Sequence, residues 1–345
     1  MKMKKTDFRK ILSILKNAVD VYEEQYGYHN IVVSDGKLTA YNGYVMIEYE
    51  GGGVTGQFSV PFKKMSTFSS GSGYIELENG RLNDGEIELG GTSQDFAGTE
   101  IMYGEYIGDV AKIGAGKIRN YGERIEAAIA KNPAKYELGG FYLDNECGVA
   151  RLVATNAYVL SIADVGEMFV DRGVILPKQV LSAMNAIVGF DEDIDTIDVI
   201  EYERNGKSIY KIKLGDFTIR TVNINGVYVD YRRIMDSSDD GAGDVTVHDA
   251  ADMKKKVDKI GKFDDDAVIE CEKENVIIKG SVEKVKARIN ADIRKCKKIT
   301  VILKNLSSAL KGVHDECDMT WGENGIITIS NDEKAKTFVI GYIKN

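Results

Sequence analysis

A glycine-rich segment between Gly51 and Gly56 reads GGGVTG and has the G-x-G-x-x-G spacing that holds a dinucleotide pyrophosphate. That chemistry requires the loop to join a strand to a helix, because the phosphates are held at the helix N-terminus. Here strand-like residues lie on both sides of the loop, at 45–49 and 57–60. The pattern therefore favours a hairpin loop, and a cytosolic nucleotide-binding enzyme is kept only as a less favoured alternative.

Other residues of catalytic or metal-binding types are scattered through the chain. The three histidines have neither metal-ligand spacing nor a nucleophile beside them: His29, His248 and His314. A calcium-like loop begins at Asp236 but has Val247 where a bidentate glutamate is needed. The sequence therefore predicts a protein that is not an enzyme, with no catalytic residue, no metal site and no cofactor.

The four cysteines form no C-x-x-C pair: Cys147, Cys271, Cys296 and Cys317. This spacing predicts four free thiols in a reducing cytosol. The first residues lack the apolar stretch of a signal peptide, and no segment approaches the roughly 18 apolar residues of a membrane span. We therefore expect a cytoplasmic protein with no membrane partner.

The composition is that of a globular protein. The chain has 345 residues, of which 43% are hydrophobic and 29% charged, and its net charge is −9. This length suits two or three domains. The 36 glycines against three prolines are typical of many strands joined by tight turns. The acidic balance argues against a protein that coats nucleic acid with its whole surface, although local basic patches remain compatible with it.

An internal repeat organises the sequence. Three segments take a short apolar strand directly into a helix start, at 58–65, 174–181 and 300–306. An Asn-Gly dipeptide, which is typical of a hairpin, follows each step, and a longer amphipathic helical pattern precedes it. The common order predicts three similar units of about 115 residues. We place the domains at 1–108, 109–238 and 239–345, with polar joints near 104–116 and 235–244.

Positive charge is concentrated on the predicted helices. The six helical segments (1–20, 61–70, 117–135, 177–188, 248–263 and 304–313) sum to +14, which leaves −23 on the rest of the chain. On the longer helices the basic residues mostly lie opposite the apolar stripe: Arg9, Lys10, Lys16, Arg124, Lys131, Lys255, Lys259 and Lys262. Such a segregated field suits a polyanion partner.

Several segments resemble the bacterial sliding clamps, the beta subunits of DNA polymerase III. The segment 151–160, RLVATNAYVL, is similar to the family pattern R-x-V-A-T-D-G-H-R-L, and 174–178, VILPK, is similar to V-I-V-P-R/K. The segment 225–234, NGVYVDYRRI, resembles D-G-R-F-P-D-Y-R-R-V, with Gly215-Asp216-Phe217 just upstream. The last residues, 338–345, stand where the family ends in Y-V-V-M-P-M-R-L. Order and spacing agree over nearly the whole chain.

The resemblance implies an α+β fold of three similar clamp domains, each with two helices packed on antiparallel sheets. Two such chains close head-to-tail into a ring whose helices face double-stranded DNA without reading its sequence. Further residues fall where the family contacts DNA: Asn132, Lys135, Tyr136 and Lys178. The implied protein is a homodimeric processivity factor that tethers DNA polymerase, the clamp loader and other proteins carrying a clamp-binding motif.

The resemblance also implies an apolar pocket for short partner peptides. Its residues are Leu138, Thr155, Tyr158, Leu160, Val229, Ile234, Val339, Gly341 and Ile343. Tyr158 replaces a common histidine, Val229 a proline, and Gly341-Tyr342 a Met-Pro pair. These departures leave a second alternative open, in which a phage or mobile element uses the clamp scaffold for altered partners.

Overall fold

The computed structural model describes residues 2–342, except 35, 52–55, 79, 94–95, 97, 238–240 and 283. The chain divides into two compact units. The first unit comprises Met1–Arg119 and Gly166–Ile224, and the second comprises Asn120–Val165 and Asn225–Asn345. These two units do not test the predicted division into three domains, which stays a prediction.

Each of the six predicted helical segments overlaps an α-helix, and in the described part of the chain one further short α-helix, α5, lies in a segment for which none was predicted. The helices are α1 (Lys5–Leu15), α2 (Phe62–Phe68), α3 (Ala115–Ala128), α4 (Lys178–Phe190), α5 (Arg232–Asp236), α6 (Ala250–Ile260) and α7 (Leu303–Ala309).

Strands make up most of the remaining structure. They are β1 (Lys2–Lys4), β2 (Asn30–Ser34), β3 (Lys37–Tyr41), β4 (Val45–Tyr49), β5 (Phe58–Pro61), β6 (Tyr74–Glu78), β7 (Arg81–Asn83), β8 (Glu88–Gly90), β9 (Glu105–Gly114), β10 (Gly140–Glu146), β11 (Val149–Thr155), β12 (Val159–Met168), β13 (Val174–Pro177), β14 (Thr196–Arg204), β15 (Lys207–Leu214), β16 (Phe217–Val222), β17 (Gly243–Val247), β18 (Asp266–Glu272), β19 (Asn275–Gly280), β20 (Lys286–Cys296), β21 (Ile299–Ile302), β22 (Cys317–Trp321), β23 (Ile326–Asp332) and β24 (Ala335–Tyr342).

The first unit is built on a long antiparallel sheet. Its strand order is β5-β2-β3-β4-β16-β15-β14-β9, and β9 also pairs with the last residues of β12. A smaller antiparallel sheet has the order β1-β6-β7-β8. Helix α1 packs against α4, so that the apolar stripe of α1 is buried inside this unit.

The second unit has an antiparallel path of strands that returns to its own starting region. The order is β12-β24-β23-β22-β17-β20-β19-β18-β21, and β21 then pairs with the last residues of β24. Strand β23 follows one edge of β24. The other edge is therefore shared by β12 and β21, one after the other along the strand.

The three predicted strand-to-helix steps are confirmed. Strand β5 ends at Pro61 and α2 begins at Phe62, while β13 ends at Pro177 and α4 begins at Lys178. In the third copy β21 ends at Ile302 and α7 begins at Leu303. The two prolines suit the boundary because their fixed φ and missing N–H are tolerated where a helix begins.

The hairpin predicted at Asn205-Gly206 is also confirmed. Arg204 pairs with Lys207, and φ is 53° at Asn205 and 75° at Gly206. Two positive φ values in a two-residue loop match the right-handed twist of the strands, which is why Asn-Gly is favoured there. Gly325 lies in the loop between β22 and β23, and Gly80 lies between β6 and β7, but its partner Asn79 is outside the described residues.

Two sequence predictions are wrong. The polar joint expected near 104–116 is mostly the strand β9, which pairs with β14 along most of its length. Two of the four cysteines predicted to be free, Cys271 and Cys296, form a disulfide whose Cα atoms are 6.1 Å apart. Their sequence separation of 25 hides the proximity, because sheet pairing and not spacing brings the two strands together.

The core of the second unit depends on one close approach of backbone to side chain. Trp321 is fully buried, and its indole N–H donates to the Lys297 carbonyl at 2.9 Å. A Cβ at Gly243 would lie 1.9 Å from the Trp321 ring, so only glycine fits at this position of β17. Burial of a side chain of this size stabilises the fold by roughly 2–3 kcal/mol. A larger residue at Gly243 would displace the Trp321 ring and reduce this stabilisation.

Candidate nucleic-acid interface and partner pocket

Helix α1 and the residue just after it present three of the predicted cations to solvent. Phe8 and Leu12 are buried on one face, whereas Arg9, Lys10 and Lys16 are exposed on the other. The Lys10 ammonium lies 5.8 Å from the centre of the Phe190 ring, within reach of a cation–π contact. The helical period thus places one positive face on the solvent side of the first unit, as predicted.

The first residue of α1 carries a different kind of cation. Lys5 is largely buried, and its ammonium contacts Asp84 Oδ2 at 2.9 Å and the Ser70 carbonyl at 3.2 Å. The hydrogen bond from Lys5 and two backbone N–H donors lower the pKa of Asp84 to about 2. This ion pair joins α1 to the loop after β7 and is a structural contact.

Helix α6 repeats the arrangement of α1 in the second unit. Its N-cap is Asp249, whose carboxylate accepts the Asp252 N–H at 2.7 Å, a favoured way to begin a helix. The buried positions Met253, Val257 and Ile260 form one stripe. The predicted cations on this helix and just after it are all exposed: Lys255, Lys259 and Lys262.

Arg124 on α3 is a correction to the predicted set. Its side chain is 0% exposed, and its guanidinium donates to Asn331 Oδ1 at 2.6 Å. Burial lowers the pKa of Arg124. The position follows buried Tyr121 by three residues and precedes buried Ala128 by four, so it lies on the packed side of the helix. A phosphate cannot reach this guanidinium, and Arg124 is withdrawn from the DNA-binding residues.

The segment after α3 places four predicted residues close together in sequence and at the surface. Lys131, Asn132, Lys135 and Tyr136 are all exposed. Lys178 belongs to the first unit, where it is half-buried at the first position of α4. Apart from Arg124 and Lys178, the predicted DNA-binding residues therefore expose their side chains.

Most of the predicted pocket residues are buried within the second unit. Leu138, Thr155, Leu160, Val339 and Gly341 are buried, while Val229 and Ile234 are half-buried. Tyr158 is 56% exposed. Ile343 lies outside the described residues.

Strand pairing holds several of these residues together. Val159 of β12 pairs with Val339 of β24, and the Ile340 N–H donates to the Tyr158 carbonyl at 3.0 Å. The Thr155 hydroxyl donates to the Val159 carbonyl at 2.8 Å. The ends of β11, β12 and β24 therefore carry the predicted pocket residues as one hydrogen-bonded group.

Tyr228 is a residue of this region that the sequence did not single out. Its hydroxyl accepts the Thr155 N–H at 3.1 Å, and its ring stacks on Tyr142 with the centroids 5.0 Å apart. Burial raises the pKa of Tyr228, so that the hydroxyl stays protonated. Tyr228 is adjacent to the predicted pocket residue Val229, and this was the one sequence feature that could have identified it. No local pattern in the sequence shows which of the two side chains is buried.

Ala157 occupies a strained turn between β11 and β12. Its φ is 76°, in the region that favours glycine, and the family pattern has glycine at this position. Asn156 supports the turn, since its Oδ1 accepts the N–H groups of Tyr158 at 3.0 Å and Val159 at 2.9 Å. These contacts fix the backbone from which Tyr158 projects into solvent.

The Asp-Tyr-Arg-Arg segment has a structural role. The Tyr231 hydroxyl donates to Asp144 Oδ2 at 2.6 Å, and Arg232 contacts the same carboxylate at 2.7 Å. Burial and the hydrogen bond to Asp144 raise the pKa of Tyr231. These contacts tie the start of α5 to β10, and they position the neighbouring Val229 and Ile234.

Neither a metal centre nor a nucleotide loop is supported by the described part of the chain. Among those residues, no three His, Cys, Asp or Glu side chains are grouped so that they could hold a metal ion. The Gly51–Gly56 loop joins β4 to β5, two strands, as predicted, although residues 52–55 themselves lie outside the description. Over the same described residues, no helix is long and apolar enough to cross a membrane.

Comparison of the fold with solved structures gives matches over the full chain. The beta subunit of DNA polymerase III from Thermotoga maritima matches with a TM-score of 0.77 at 14% identity, covering 100% of this chain and 99% of that chain. A sliding clamp from Pseudomonas aeruginosa bound to griselimycin matches at 0.75 and 16% identity, with coverage of 100% and 99%. The C. crescentus beta sliding clamp matches at 0.73 and 16%, with coverage of 99% and 98%.

By sequence, no family model matches the chain, and no curated protein matches it. The identities to the solved structures are too low to carry residue roles or partners across. What they share with this chain is the arrangement of helices and antiparallel strands along its entire length. The chain has the α+β fold of the bacterial sliding clamps.

Proposed function

We propose that the chain is a DNA polymerase processivity factor that encircles duplex DNA. The full-length similarity to bacterial sliding clamps is the observation that carries this proposal. The exposed positive faces of α1 and α6 support it, because a chain with a net charge of −9 otherwise has little attraction for a polyanion.

In this proposal the DNA contacts are weak and blind to sequence. The charged groups at the ends of flexible lysine and arginine side chains attract phosphates at many positions along the duplex. None of these contacts reads a base edge. Two copies, each with domains at 1–108, 109–238 and 239–345, close head-to-tail into a ring. Closure of the ring supplies the residence time that weak contacts do not, and the protein needs no catalytic residue.

The second part of the proposal is a partner site at the ends of β11, β12 and β24. DNA polymerase, the clamp loader and other proteins would place a short apolar peptide there, against the exposed Tyr158 and the half-buried Val229 and Ile234. Leu160 and Val339 are buried beneath this surface and support it. The buried hydrogen-bonded frame around Thr155 and Tyr228 supports this site, since it fixes the strand ends without using the apolar side chains.

A threading experiment tests the ring without requiring a clamp loader. The protein is incubated with linear duplex DNA carrying biotin at both ends, and streptavidin is then added to block the ends. We expect retention at high salt on blocked DNA and rapid loss from DNA with free ends, together with a dimer by native mass spectrometry. A strict monomer that is lost equally from both DNAs would refute the clamp proposal.

Griselimycin, which is bound to the Pseudomonas aeruginosa clamp in its crystal structure, is the probe we choose for the partner site, where we propose that it binds. We expect labelled griselimycin to bind this chain and the Tyr158→Glu substitution to weaken that binding about tenfold, as expected for loss of an aromatic contact. Tyr106→Glu is the matched control, because Tyr106 is 60% exposed in the first unit. Equal affinities of the two variants would place the griselimycin site elsewhere.

A clamp scaffold with altered partners is the second candidate. The observation that favours it is the chemistry of the pocket, where Tyr158 and Gly341 replace the usual family residues. End-blocked retention on DNA without any griselimycin binding would favour this candidate over a replicative clamp.

A further inference from the structure

The disulfide between Cys271 and Cys296 sets these two cysteines apart from the others. Both are partly exposed, which gives a small thiol access to the bond. Cys317 is buried, and burial raises its pKa to about 12, so that it is inert at neutral pH. Cys147 is exposed and free. Among the described cysteines, only this disulfide pair joins two structural elements, the end of β18 and the end of β20.

The crosslink closes over the start of β21. Cys271 lies two residues beyond Ile269, which pairs with Ile299 in the ladder between β18 and β21. Cys296 ends β20 and precedes Ile299 by three residues. That ladder has four residue pairs, Asp266 to Ile269 with Ile299 to Ile302. A covalent link beside the end of so short a ladder therefore stabilises the pairing of β21 with β18.

Strand β21 in turn holds the end of β24. Val301 pairs with Gly341, and a Cβ on Gly341 would lie 2.8 Å from the Thr300 carbonyl oxygen. The Gly341 N–H donates to the Gly325 carbonyl at 2.8 Å on the opposite side. The β24 backbone at Gly341 is therefore packed between β21 and the loop before β23, and a shift of β21 displaces it.

The same edge of β24 continues into the proposed partner site. Strand β12 pairs with β24 up to Val159 and Val339, and Ile340 separates this pair from Gly341. One short edge thus carries the pocket residue Val339 beside β12 and the pocket residue Gly341 beside β21. The chain of contacts from the disulfide to this site runs through β18, β21 and β24, all within the second unit.

We propose that the Cys271–Cys296 disulfide is a redox switch for the partner site at the end of β24. Oxidised glutathione accepts two electrons and two protons from the thiols as the bond forms, and gives two reduced glutathione molecules. Reduced glutathione reverses the exchange. Reduction restores freedom to the segment between the two cysteines, which are 25 positions apart, and lets β21 and the end of β24 separate more often. The control of peptide affinity rests on the proposed function, whereas the control of β24 does not.

Hydrogen exchange on the full-length protein tests the structural part. We expect the amides of Ile340 and Gly341 to exchange about tenfold faster after reduction, as loss of a loop constraint predicts. The amide of Ile212 in β15 of the first unit should not change. Cys271→Ser/Cys296→Ser should behave as the reduced protein under both conditions, and Cys147→Ser should respond like the unsubstituted protein. Equal exchange of Ile340 and Gly341 in the oxidised and reduced unsubstituted protein would overturn the proposal.

Griselimycin binding separates the two parts of the proposal. A several-fold weaker affinity after reduction, absent from the double serine variant, supports the switch. Faster exchange with unchanged griselimycin affinity overturns the link to the partner site. Faster exchange with no griselimycin binding in either state contradicts the proposed pocket, but it supports control of β24 by the disulfide.

Discussion

Helices α1 and α3 carry arginines that look alike in sequence and have opposite environments. Arg9 on α1 is exposed, whereas Arg124 on α3 is fully buried and hydrogen-bonded to Asn331. Arg9 lies one residue from buried Phe8, on the side of the helix away from Leu15. Arg124 lies within three or four residues of two buried positions on the same face. Arg9 also has buried neighbours at i−4 and i+3, Lys5 and Leu12, so the pattern of its own helix does not decide whether a cation is buried. Arg124 is buried because β23, which carries Asn331, packs on that side of α3.

The same contrast separates two uses of positive charge. A solvated cation carries no desolvation penalty and can attract a distant phosphate. A buried cation lowers the free energy of unfolding unless its N–H donors are hydrogen-bonded. Arg124 Nε has no hydrogen-bond partner, and burial lowers the pKa of the side chain. Substitutions on the two helices should therefore affect different measurements.

Charge reversal at Arg124 should have the largest effect. Arg124→Glu places a carboxylate in a buried site near Asp332, and we expect the free energy of unfolding to fall by about 3–5 kcal/mol. Urea denaturation measures this loss. The milder Arg124→Met should keep the fold and leave affinity for a short duplex unchanged. A loss of DNA affinity in a folded Arg124→Met protein would contradict the burial argument.

The same reversal on α1 should act on DNA alone. For Arg9→Glu/Lys10→Glu/Lys16→Glu we expect affinity for a short duplex to fall about a hundredfold, and the salt slope of log affinity to decrease by about three. Stability should change by no more than about 0.5 kcal/mol per substitution.

A matched control for α1 reverses three exposed lysines on strands of the same unit, Lys112, Lys207 and Lys213. This control changes the net charge of the protein by the same amount as the α1 variant. A loss of duplex affinity that both variants share therefore reports only the electrostatic field of the whole protein. Equal losses in both triple variants would show that α1 is not a preferred DNA face. Fluorescence anisotropy at several salt concentrations measures both.

The corresponding triple variant on α6 should have a smaller effect. For Lys255→Glu/Lys259→Glu/Lys262→Glu we expect about a tenfold loss of duplex affinity. The helix also carries Asp252 and Asp258, which pair with Lys256 and Lys254 at 2.6 Å and already weaken its field. Fluorescence anisotropy under the same conditions measures the loss of duplex affinity. A larger loss for the α6 variant than for the α1 variant would contradict this prediction.

The smallest effect is expected at the buried cation of α1 itself, and it depends on pH. The pKa of Asp84 is about 2, below its ordinary 3.8, because Lys5 holds the charged form. Its contribution to stability is present above about pH 4 and is lost as the pH falls through about 2. Asp84→Asn and Lys5→Met should each flatten the decline in unfolding free energy over this window. An equally steep decline in both variants would show that this pair does not cause it.

Much of the fold follows from local sequence. The helical stripe that begins at Phe8 and the one around Val257 determine α1 and α6, and they also determine which lysines face solvent. The strand-to-helix steps at Pro61 and Pro177 and the hairpin at Asn205-Gly206 are set by residues in direct succession. Local patterns predict such elements because the period of a helix or strand is expressed within a few residues.

The site is only partly predictable, because its contacts join distant residues. Tyr228 is identified only by its partners Thr155 and Tyr142, and the role of Tyr231 only by Asp144. No local pattern distinguishes Tyr228 from an exposed tyrosine such as Tyr158. The family resemblance predicted Val339 and Gly341 for the pocket, but their shared place on one edge of β24 depends on pairing with two separate strands.

The sequence alone therefore determined the helices, the strand-to-helix repeat, the segregation of charge and the resemblance to the clamp fold. Only the tertiary structure decided that Arg124 is bonded to a residue 207 positions away and that Cys271 meets Cys296. Burial and crosslinking depend on which surfaces pack together. That packing minimises exposed apolar area over the whole unit and is not encoded in the spacing of any one segment.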